Sequence, residues 1–241
     1  MADTLTLTVL GASGSYPGPG QACSGYLLSA GVTRVWLDAG SGTLANLQRH
    51  IALADVDAIV LSHEHPDHWT DIEGFAVASR YVLHLPPIPV FAPAGLREHL
   101  LTGADAFVWH EISDGGTVDV GDLRLGFRRT DHGPETLAVR VDGAGRSLGY
   151  SADTGPGWSL AELGPGLDLA LCEATYLEEH EDAGMHRTAR QAGATAREAG
   201  AAALVITHLQ PTVDRVAARV AAGDAFGAPV EVAAAGLVRS V

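Results

Sequence analysis

The chain has 241 residues, of which 46% are apolar and 18% charged, a composition typical of a globular protein with a substantial core. It has no apolar run that approaches the roughly 18 residues needed to span a membrane. Acidic residues outnumber basic ones by 29 to 15, which gives a formal net charge of −14, and every basic residue is an arginine. This balance disfavours a surface that binds a long polyanion.

The cysteine content and the first residues also limit the class of protein. Cys23 and Cys172 are too few for a disulfide framework and have no zinc-ribbon spacing, so we expect free, buried thiols. The first four residues have neither a basic segment nor the apolar core of a signal sequence. We therefore expect a cytoplasmic protein.

The first predicted elements are strands separated by a loop rich in glycine and proline. Threonine alternates with leucine and valine over residues 5–10, which predicts a half-buried strand. Residues 25–30 and 33–37 predict a hairpin that ends at Asp38. The Asp38 carboxylate could orient a metal ligand or could belong to an ordinary turn, and the sequence favours neither interpretation. Apolar residues at helical spacing over 44–54 predict a helix.

The next strand leads into a cluster of histidines and carboxylates. The apolar run at residues 59–61 is typical of a strand buried on both faces, and it is followed by Ser-His-Glu-His-Pro-Asp-His. His63 and His65 project to one side of an extended segment. The proline then turns the chain, so that Asp67 and His68 face a second point. Two points suggest two metal ions, and imidazole with carboxylate oxygen suits zinc, or less selectively manganese and iron.

The rest of the chain alternates strands and helices in two comparable halves. Predicted helices cover residues 69–83, 95–101, 188–199 and 213–222. Predicted strands cover residues 90–91, 107–112, 117–120, 123–129, 136–141, 147–151, 167–172 and 203–207, and two short strands close the chain. No linker-like tract separates the halves, so we expect one sandwich of sheets covered by helices.

Three more residues that can bind a metal stand where predicted strands end: His132, Asp153 and His208. A rigid strand aims a side chain, while the loop that follows leaves room for a substrate. Each residue alone has an ordinary explanation, such as a histidine bonded to backbone or an aspartate in a turn. Together with the histidine-rich motif, they favour a shared site.

This arrangement of histidines and aspartates resembles the metallo-β-lactamase fold superfamily of binuclear metallohydrolases along nearly the whole chain. The resemblance implies an α+β fold of the αββα type, in which two mixed sheets pack face to face with helices outside. It also implies a single domain that spans residues 1–241.

The resemblance further implies a site for two divalent metal ions, with zinc expected and manganese as the alternative. The implied ligands are His63, His65 and His132 for one ion, and Asp67, His68 and His208 for the other. Asp153 and a hydroxide would bridge the two ions. Independently, two nearby cations can acidify a water and stabilise charge on a phosphoryl or carbonyl centre.

Other residues are similar to the ribonuclease Z branch of this superfamily. Residues 172–175, Cys-Glu-Ala-Thr, and 186–188, His-Arg-Thr, look like paired motifs that place a glutamate and a histidine beside the metals. The implied catalytic residues are Asp67, His186 and Glu173. Glu173 would orient His186 so that the imidazole protonates a departing alkoxide. Alone, His186 could also be a surface residue at a helix start.

The chain departs from that branch in two places. Ribonuclease Z enzymes carry a long basic arm that grips tRNA between the positions matching His132 and Asp153, whereas a single predicted hairpin fills this interval here. Cys172 replaces the histidine usual in the first motif, which leaves open the hydrogen bonding beside Glu173. The layout is similar to that of short actinobacterial proteins regarded as cyclic nucleotide phosphodiesterases.

We therefore predict a dinuclear metallohydrolase that acts on a small anionic phosphodiester, with a cyclic nucleotide as a candidate and neither tRNA nor a membrane as partner. A carboxylic ester or lactone hydrolase is the main alternative, because the same nucleophile attacks a carbonyl carbon. A tRNA 3′-processing nuclease and a metal-binding domain without catalytic activity are further alternatives. We expect any assembly to be a homodimer.

Overall fold

The computed structural model describes residues 4–101, 103–177 and 183–241. Its strands are β1 (Thr6–Gly11), β2 (Gly25–Ala30), β3 (Thr33–Ala39), β4 (Ala58–Val60), β5 (Ile88–Ala92), β6 (Phe107–Glu111), β7 (Thr117–Val120), β8 (Leu123–Arg129), β9 (Leu137–Gly143), β10 (Arg146–Tyr150), β11 (Leu169–Glu173), β12 (Leu204–Thr207), β13 (Glu231–Val232) and β14 (Val238–Ser240). Its α-helices are α1 (Thr43–Leu47), α2 (Asp71–Val77), α3 (Ala189–Glu198) and α4 (Arg215–Phe226).

Within these residues the strands form two mixed, seven-stranded sheets. The order is β14-β1-β2-β3-β4-β5-β6 in the first and β13-β12-β11-β10-β9-β8-β7 in the second. In the first sheet β14, β1, β2 and β3 pair antiparallel, whereas β3 to β6 are parallel. In the second, β7 to β10 pair antiparallel and β10 to β13 are parallel. Both sheets therefore combine antiparallel strands on one side with parallel strands on the other.

Alternate residues of the central strands face the opposite sheet. In β4, Ala58 and Val60 lie in the apolar core between the sheets, while Ile59 lies under the helices on the outer face. In β11, Leu171 faces the core between the sheets and Ala170 faces the outer layer. These strands are buried on both faces, which explains why their sequences are continuous apolar runs rather than alternating ones.

Helices cover the outer face of each sheet. On the first sheet, α2 buries Ile72, Phe75 and Ala76. On the second, α3 and α4 bury mainly alanines, which allow close packing against the strands. The result is the predicted αββα sandwich. None of the helices in the described residues is both long and apolar enough to cross a membrane.

Capping side chains fix where the two C-terminal helices begin. Thr188 is the N-cap of α3: its hydroxyl accepts from the Gln191 N–H, and the Gln191 side chain accepts from the Thr188 N–H. The helix therefore begins one residue after the predicted start. Asp214 caps α4 by accepting from two backbone N–H groups, and Gly227 ends that helix with φ 86°.

Two predicted helices are shorter than the apolar spacing suggests. Of residues 69–83, only Asp71–Val77 is regular α-helix; a wider π-type turn follows and ends at His84, which has φ 53°. The prolines after it cannot continue a helix. Of residues 44–54, the α-helix covers only the part up to Leu47; the extended Ala52, with ψ 150°, then precedes a separate 3₁₀ turn, Leu53–Asp55.

The interval between His132 and Asp153 contains one hairpin. The strands β9 and β10 pair antiparallel, with Gly143 opposite Arg146 at the turn. The hairpin is also part of the second sheet, because β9 pairs with β8 and β10 pairs with β11. The predicted hairpin is therefore confirmed.

The core between the sheets should dominate stability. Leu125 on β8 is fully buried there, whereas Leu101 is 90% exposed. Leu125→Ala should lower the free energy of unfolding by about 2–5 kcal/mol, because it removes buried methyl groups and leaves a cavity. Leu101→Ala, the matched control, should change it by less than about 0.5 kcal/mol. Denaturant unfolding of both variants at the same metal loading measures this; equal losses would contradict the assignment of the core.

Candidate metal centre

The candidate site lies at one edge of the sandwich, where strands of both sheets end. The strands β3 and β4 of the first sheet end there, and so do β8, β10, β11 and β12 of the second. The side chains that these strands or the following loops deliver are Asp38, His63, His65, Asp67, His68, His132, Asp153, Glu173 and His208. Rigid strands thus fix the direction of each side chain.

One group of potential metal ligands contains His63, His65, His132 and Asp153, whose ligand atoms lie within 4.8 Å of one another. The Nδ1 of His65 is 3.1 Å from the Nε2 of His132. The Nε2 of His63 is 3.6 Å from the Oδ2 of Asp153. Three imidazole nitrogens and a carboxylate oxygen therefore converge on one point.

A second group contains Asp67, His68 and His208. The Nε2 of His208 is 3.1 Å from the Oδ2 of Asp67 and 3.2 Å from the Nε2 of His68. Pro66 starts a 3₁₀ turn, Pro66–His68, that redirects the chain after His65. This turn explains how one short motif contributes to both groups.

Asp153 connects the two groups, because each of its oxygens faces one of them. Its Oδ2 lies near His63, while its Oδ1 is 3.2 Å from the Nε2 of His68 and 3.4 Å from that of His208. Its side chain is only 2% exposed. A single buried carboxylate can therefore contact a cation in either group or in both.

Two buried atoms of the cluster make no hydrogen bond within the described residues: the Nε2 of His63 and the Oδ1 of Asp153. Leaving a buried polar atom unpaired costs roughly 1–3 kcal/mol. Both atoms point into the cluster, where a cation would satisfy them. The donor set therefore fits divalent metal ions.

The protonation states also suit a cation. Burial lowers the pKa of His63, His65 and His132, so these imidazoles are neutral and keep a free lone pair. Burial favours the protonated form of Asp153, but the neighbouring histidines hold the pKa of this carboxyl well below its usual value. Neutral imidazole and ionised carboxylate are the forms that bind metals.

His68 is surrounded by carboxylates. Its Nδ1 is 2.8 Å from Asp38 Oδ2, and its Nε2 lies 3.6 Å from Asp67 Oδ2. Burial disfavours the charged imidazole, but Asp153, Asp67 and Asp38 together raise the pKa of His68 well above its usual value. The three carboxylates therefore hold a proton on His68, and a metal ion bound at this point would take the place of that proton.

The buried Asp38 carboxylate contacts the Nδ1 of His68, on the opposite side of the ring from the Nε2 that faces the cluster. Its Oδ1 accepts from the Ser62 backbone N–H at 2.8 Å. Its Oδ2 accepts from the Ser62 hydroxyl and from the Tyr150 hydroxyl, each at 2.8 Å, and also contacts His68. Of the two interpretations open for Asp38, these contacts favour the one in which it orients His68.

The Glu173 carboxylate holds the other side of the site together. It is fully buried and accepts from the backbone N–H of Thr154 at 2.8 Å and of Arg187 at 3.1 Å. It also accepts from the Thr175 hydroxyl at 2.7 Å, and that hydroxyl lies 2.8 Å from the Nδ1 of His208. Glu173 therefore reaches His208 through one intervening group.

His186 lies between Glu173 and the cluster. Its Nδ1 is 3.0 Å from Glu173 Oε1, and its ring centroid is 5.1 Å from that of His132 and 5.5 Å from that of His208. Burial lowers the pKa of His186, but the hydrogen bond and charge of Glu173 outweigh this and raise it to about 9. Its side chain is 15% exposed, so it borders both the cluster and solvent.

Four of the six non-glycine residues with positive φ in the described part of the chain lie at the same edge; the other two are His84 and Ala144. Positive φ angles occur at Ser15 (63°), Asp38 (52°), Ala152 (50°) and His208 (58°), which lack the freedom of glycine. Such conformations persist only where the surroundings hold them, and they are frequent at functional sites. At Ser15, the strained backbone donates its N–H to Asp67 Oδ2 at 2.8 Å.

The family described as the β-lactamase superfamily domain matches residues 33–209. The chain belongs to this superfamily. It is 36% identical to an uncharacterized protein of Mycobacterium tuberculosis over 94% of this chain and 89% of the relative. It is 28% identical to a protein of Methanopyrus kandleri named ribonuclease Z, over 95% of each chain.

A solved structure has the same superfamily fold. The metallo-β-lactamase fold protein YhfI of Bacillus subtilis superimposes with a TM-score of 0.91 at 27% identity, over 99% of this chain and 100% of that one. YhfI carries the name probable metallo-hydrolase and is 28% identical to our chain over 97% of this chain and 99% of the relative. Our chain is a hydrolase of the metallo-β-lactamase fold, with a histidine and aspartate cluster suited to divalent metals.

All the site residues predicted from the sequence lie together in this superfamily member. Cys172 packs into the outer apolar layer, whereas the Glu173 carboxylate makes its hydrogen bonds on the side of the cluster. Sequence analysis missed Ser62, Thr175 and Tyr150. Ser62 and Thr175 are hydroxyl residues at the ends of the quoted motifs, so their positions could have indicated a role. Nothing in the sequence around Tyr150 indicates one.

Gly40 lies against the backbone of the histidine-rich motif, where there is no room for a side chain. A Cβ there would lie 1.9 Å from the Asp67 carbonyl oxygen and 2.7 Å from the Cys23 Cβ. Gly40→Ala should therefore destabilise the fold by about 1–3 kcal/mol and reduce the rise in melting temperature on adding zinc. Gly126→Ala, whose Cβ meets its nearest neighbour at 3.9 Å, should leave that zinc response intact. Thermal unfolding with and without zinc tests this, and identical responses would contradict it.

Proposed function

We propose that this chain is a dinuclear metal-dependent phosphodiesterase that hydrolyses a small anionic phosphodiester, with a cyclic nucleotide as the leading candidate. The observation that carries the proposal is the position of Asp153, whose two oxygens face two separate groups of ligands. We propose zinc as the native metal and manganese as the alternative, because the ligands are nitrogen and oxygen without thiolate.

The ligands of the two ions in this proposal are His63, His65 and His132 on one side and Asp67, His68 and His208 on the other, with Asp153 between them. When bound, such a pair of cations would lower the pKa of a water and stabilise negative charge on a phosphoryl oxygen. The remaining chemistry belongs to the side chains around them.

His186 is the proposed acid. Its Nδ1 is held by Glu173, so its Nε2 is the nitrogen left to protonate the departing oxygen. Glu173 has no freedom to turn away, because the Thr154 and Arg187 backbone N–H groups also hold it. The pair therefore presents one proton in a fixed direction, beside the ligands His132 and His208.

The net charge of the chain and the short β9–β10 hairpin both support the proposal of a small substrate. The net charge of −14 disfavours binding along a long nucleic acid. The interval from His132 to Asp153 holds only β9, β10 and their turn, so the basic arm expected of a tRNA-processing relative is absent from it. A phosphodiester as the reacting group is supported by the relative named ribonuclease Z.

Hydrolysis of bis-para-nitrophenyl phosphate by the zinc- or manganese-loaded protein tests the proposal. Asp67→Ala should reduce turnover by at least about a hundredfold. Loss of a residue that hydrogen-bonds a metal ligand typically costs about 10–100-fold in activity, and loss of the ligand itself should cost at least as much. Glu64→Gln is the control within the same motif: Glu64 is exposed and contacts His99, so this variant should keep turnover within about threefold. A chromogenic ester is assayed in parallel. Turnover of the ester alone, or of neither substrate with both metals bound, would refute the proposal.

The role of His186 can be separated from that of the metals by comparing two substrates whose leaving groups differ in their need for a proton. A para-nitrophenolate departs without a proton, whereas the alkoxide of a cyclic nucleotide needs one. His186→Ala should therefore reduce turnover of the cyclic nucleotide by about 10²–10⁴-fold and affect the nitrophenyl substrate much less. His99→Ala, an exposed histidine paired with Glu64, should affect neither. Equal losses on both substrates would show that His186 is no acid, and metal content should be measured in each variant.

A further inference from the structure

Tyr150 stands at the end of β10 and links the two sheets. It is 1% exposed, and its hydroxyl donates to Asp38 Oδ2 at 2.8 Å. Asp38 lies on β3 of the first sheet, whereas β10 belongs to the second. The same strand β10 leads directly to Asp153. This hydrogen bond therefore ties the strand that delivers Asp153 to the carboxylate that holds His68.

We propose that Tyr150 is a positioning residue that sets His68 through Asp38 and so fixes its distance from Asp153. The inference rests on the proposed metal site. Asp38 Oδ2 is 2.8 Å from the Nδ1 of His68, and the Nε2 of the same ring is 3.2 Å from Asp153 Oδ1. Tyr150, Asp38, His68 and Asp153 thus form a continuous path that leaves β10 at Tyr150 and returns to Asp153, three residues further along the chain.

The position of the Tyr150 hydroxyl is itself fixed by packing. Its ring meets that of Tyr26 edge to face, with centroids 5.2 Å apart and planes at 60°. Both rings lie in the apolar core between the sheets. The packed ring therefore fixes the position from which the hydroxyl donates to Asp38.

Asp38 needs such support because of its own conformation. Its φ of 52° is unusual for a residue with a side chain. Ser62 supplies two of its hydrogen bonds, but Ser62 belongs to the same sheet and adjoins the motif. Tyr150 is the donor from the opposite sheet. Without the Tyr150 hydroxyl, the Asp38 carboxylate keeps only its contacts with Ser62 and His68 among the described residues, so the carboxylate and the His68 ring can tilt together relative to the second sheet.

Tyr26 offers a matched control. It is equally buried in the same core, and its hydroxyl lies 2.6 Å from the Thr207 hydroxyl rather than from a carboxylate that holds a ligand. Tyr150→Phe and Tyr26→Phe each remove one buried hydroxyl that has a partner. A general loss of stability would therefore appear in both variants, whereas a loss of positioning would appear only in the first.

The test measures zinc affinity and the His68 ring, without relying on turnover. Competition with a chromophoric chelator should show that Tyr150→Phe weakens one of the two zinc ions by about tenfold or more and leaves the other within about twofold. Tyr26→Phe should leave both within about twofold. In nuclear magnetic resonance spectra, the His68 Nδ1–H should exchange with water faster in Tyr150→Phe than in wild type or Tyr26→Phe. Equal affinities and equal exchange rates in the two variants would overturn the inference.

Two further outcomes, a wild-type protein that binds no zinc and a Tyr150→Phe variant that does not fold, would also be informative. A wild-type protein that binds no zinc would refute the proposed function, while the exchange rate of the His68 Nδ1–H would still decide the role of Tyr150. If Tyr150→Phe does not fold, the hydroxyl proton of Tyr150 is measured in the wild type. It should exchange far more slowly than that of the exposed Tyr81, and equal rates would overturn the inference.

Discussion

Negative charge gathered around His68 is the constraint on which the site depends. Asp38, Asp67 and Asp153 all lie within 3.6 Å of this one ring, at side chains that are between 0% and 11% exposed. Burying carboxylates together is unfavourable unless each is paired. The protein pairs them through histidines, hydroxyls and backbone N–H groups, and the atoms left over point to the places where cations would be held. The same arrangement therefore both limits stability and creates the capacity to bind metal.

The symmetry of the two sheets explains why this cluster can form at all. In each sheet the parallel strands end at the same edge, so β4 and β12 present their following residues toward one another across the sandwich. A ligand on one sheet is useful only if it keeps a fixed distance from its counterpart on the other. The apolar core between the sheets sets the spacing, and the Tyr150 to Asp38 hydrogen bond sets the alignment. The packing of the core therefore determines the distances between the candidate ligands.

Site residues that are close together in the sequence could be recognised from the sequence. Residues that reach the site only because the two sheets pack face to face could not. The motif from His63 to His68 can be recognised because its ligands are adjacent and its strand is an apolar run. His132 and His208 follow the same pattern at distant strand ends. Tyr150 looks like any aromatic residue in a strand, since only the packing of β10 against β3 brings its hydroxyl to Asp38. Helix limits were also uncertain, because Thr188 acts as a cap and α1 ends at Leu47, although apolar residues continue at helical spacing to Ala54.

The acidic surface and the proposed anionic substrate are compatible because the two act at different ranges. At physiological ionic strength, charges more than about 8 Å apart in solvent are largely screened. The net charge of −14 therefore lowers long-range attraction for an extended polyanion, which must lie along much of the surface. A small phosphodiester is different, since its charge sits within a few ångströms of any bound cations and of His186. In such a site the nearest charges dominate the binding energy. The overall charge thus disfavours binding along an extended polyanion and is compatible with the compact anionic substrate proposed for the local site.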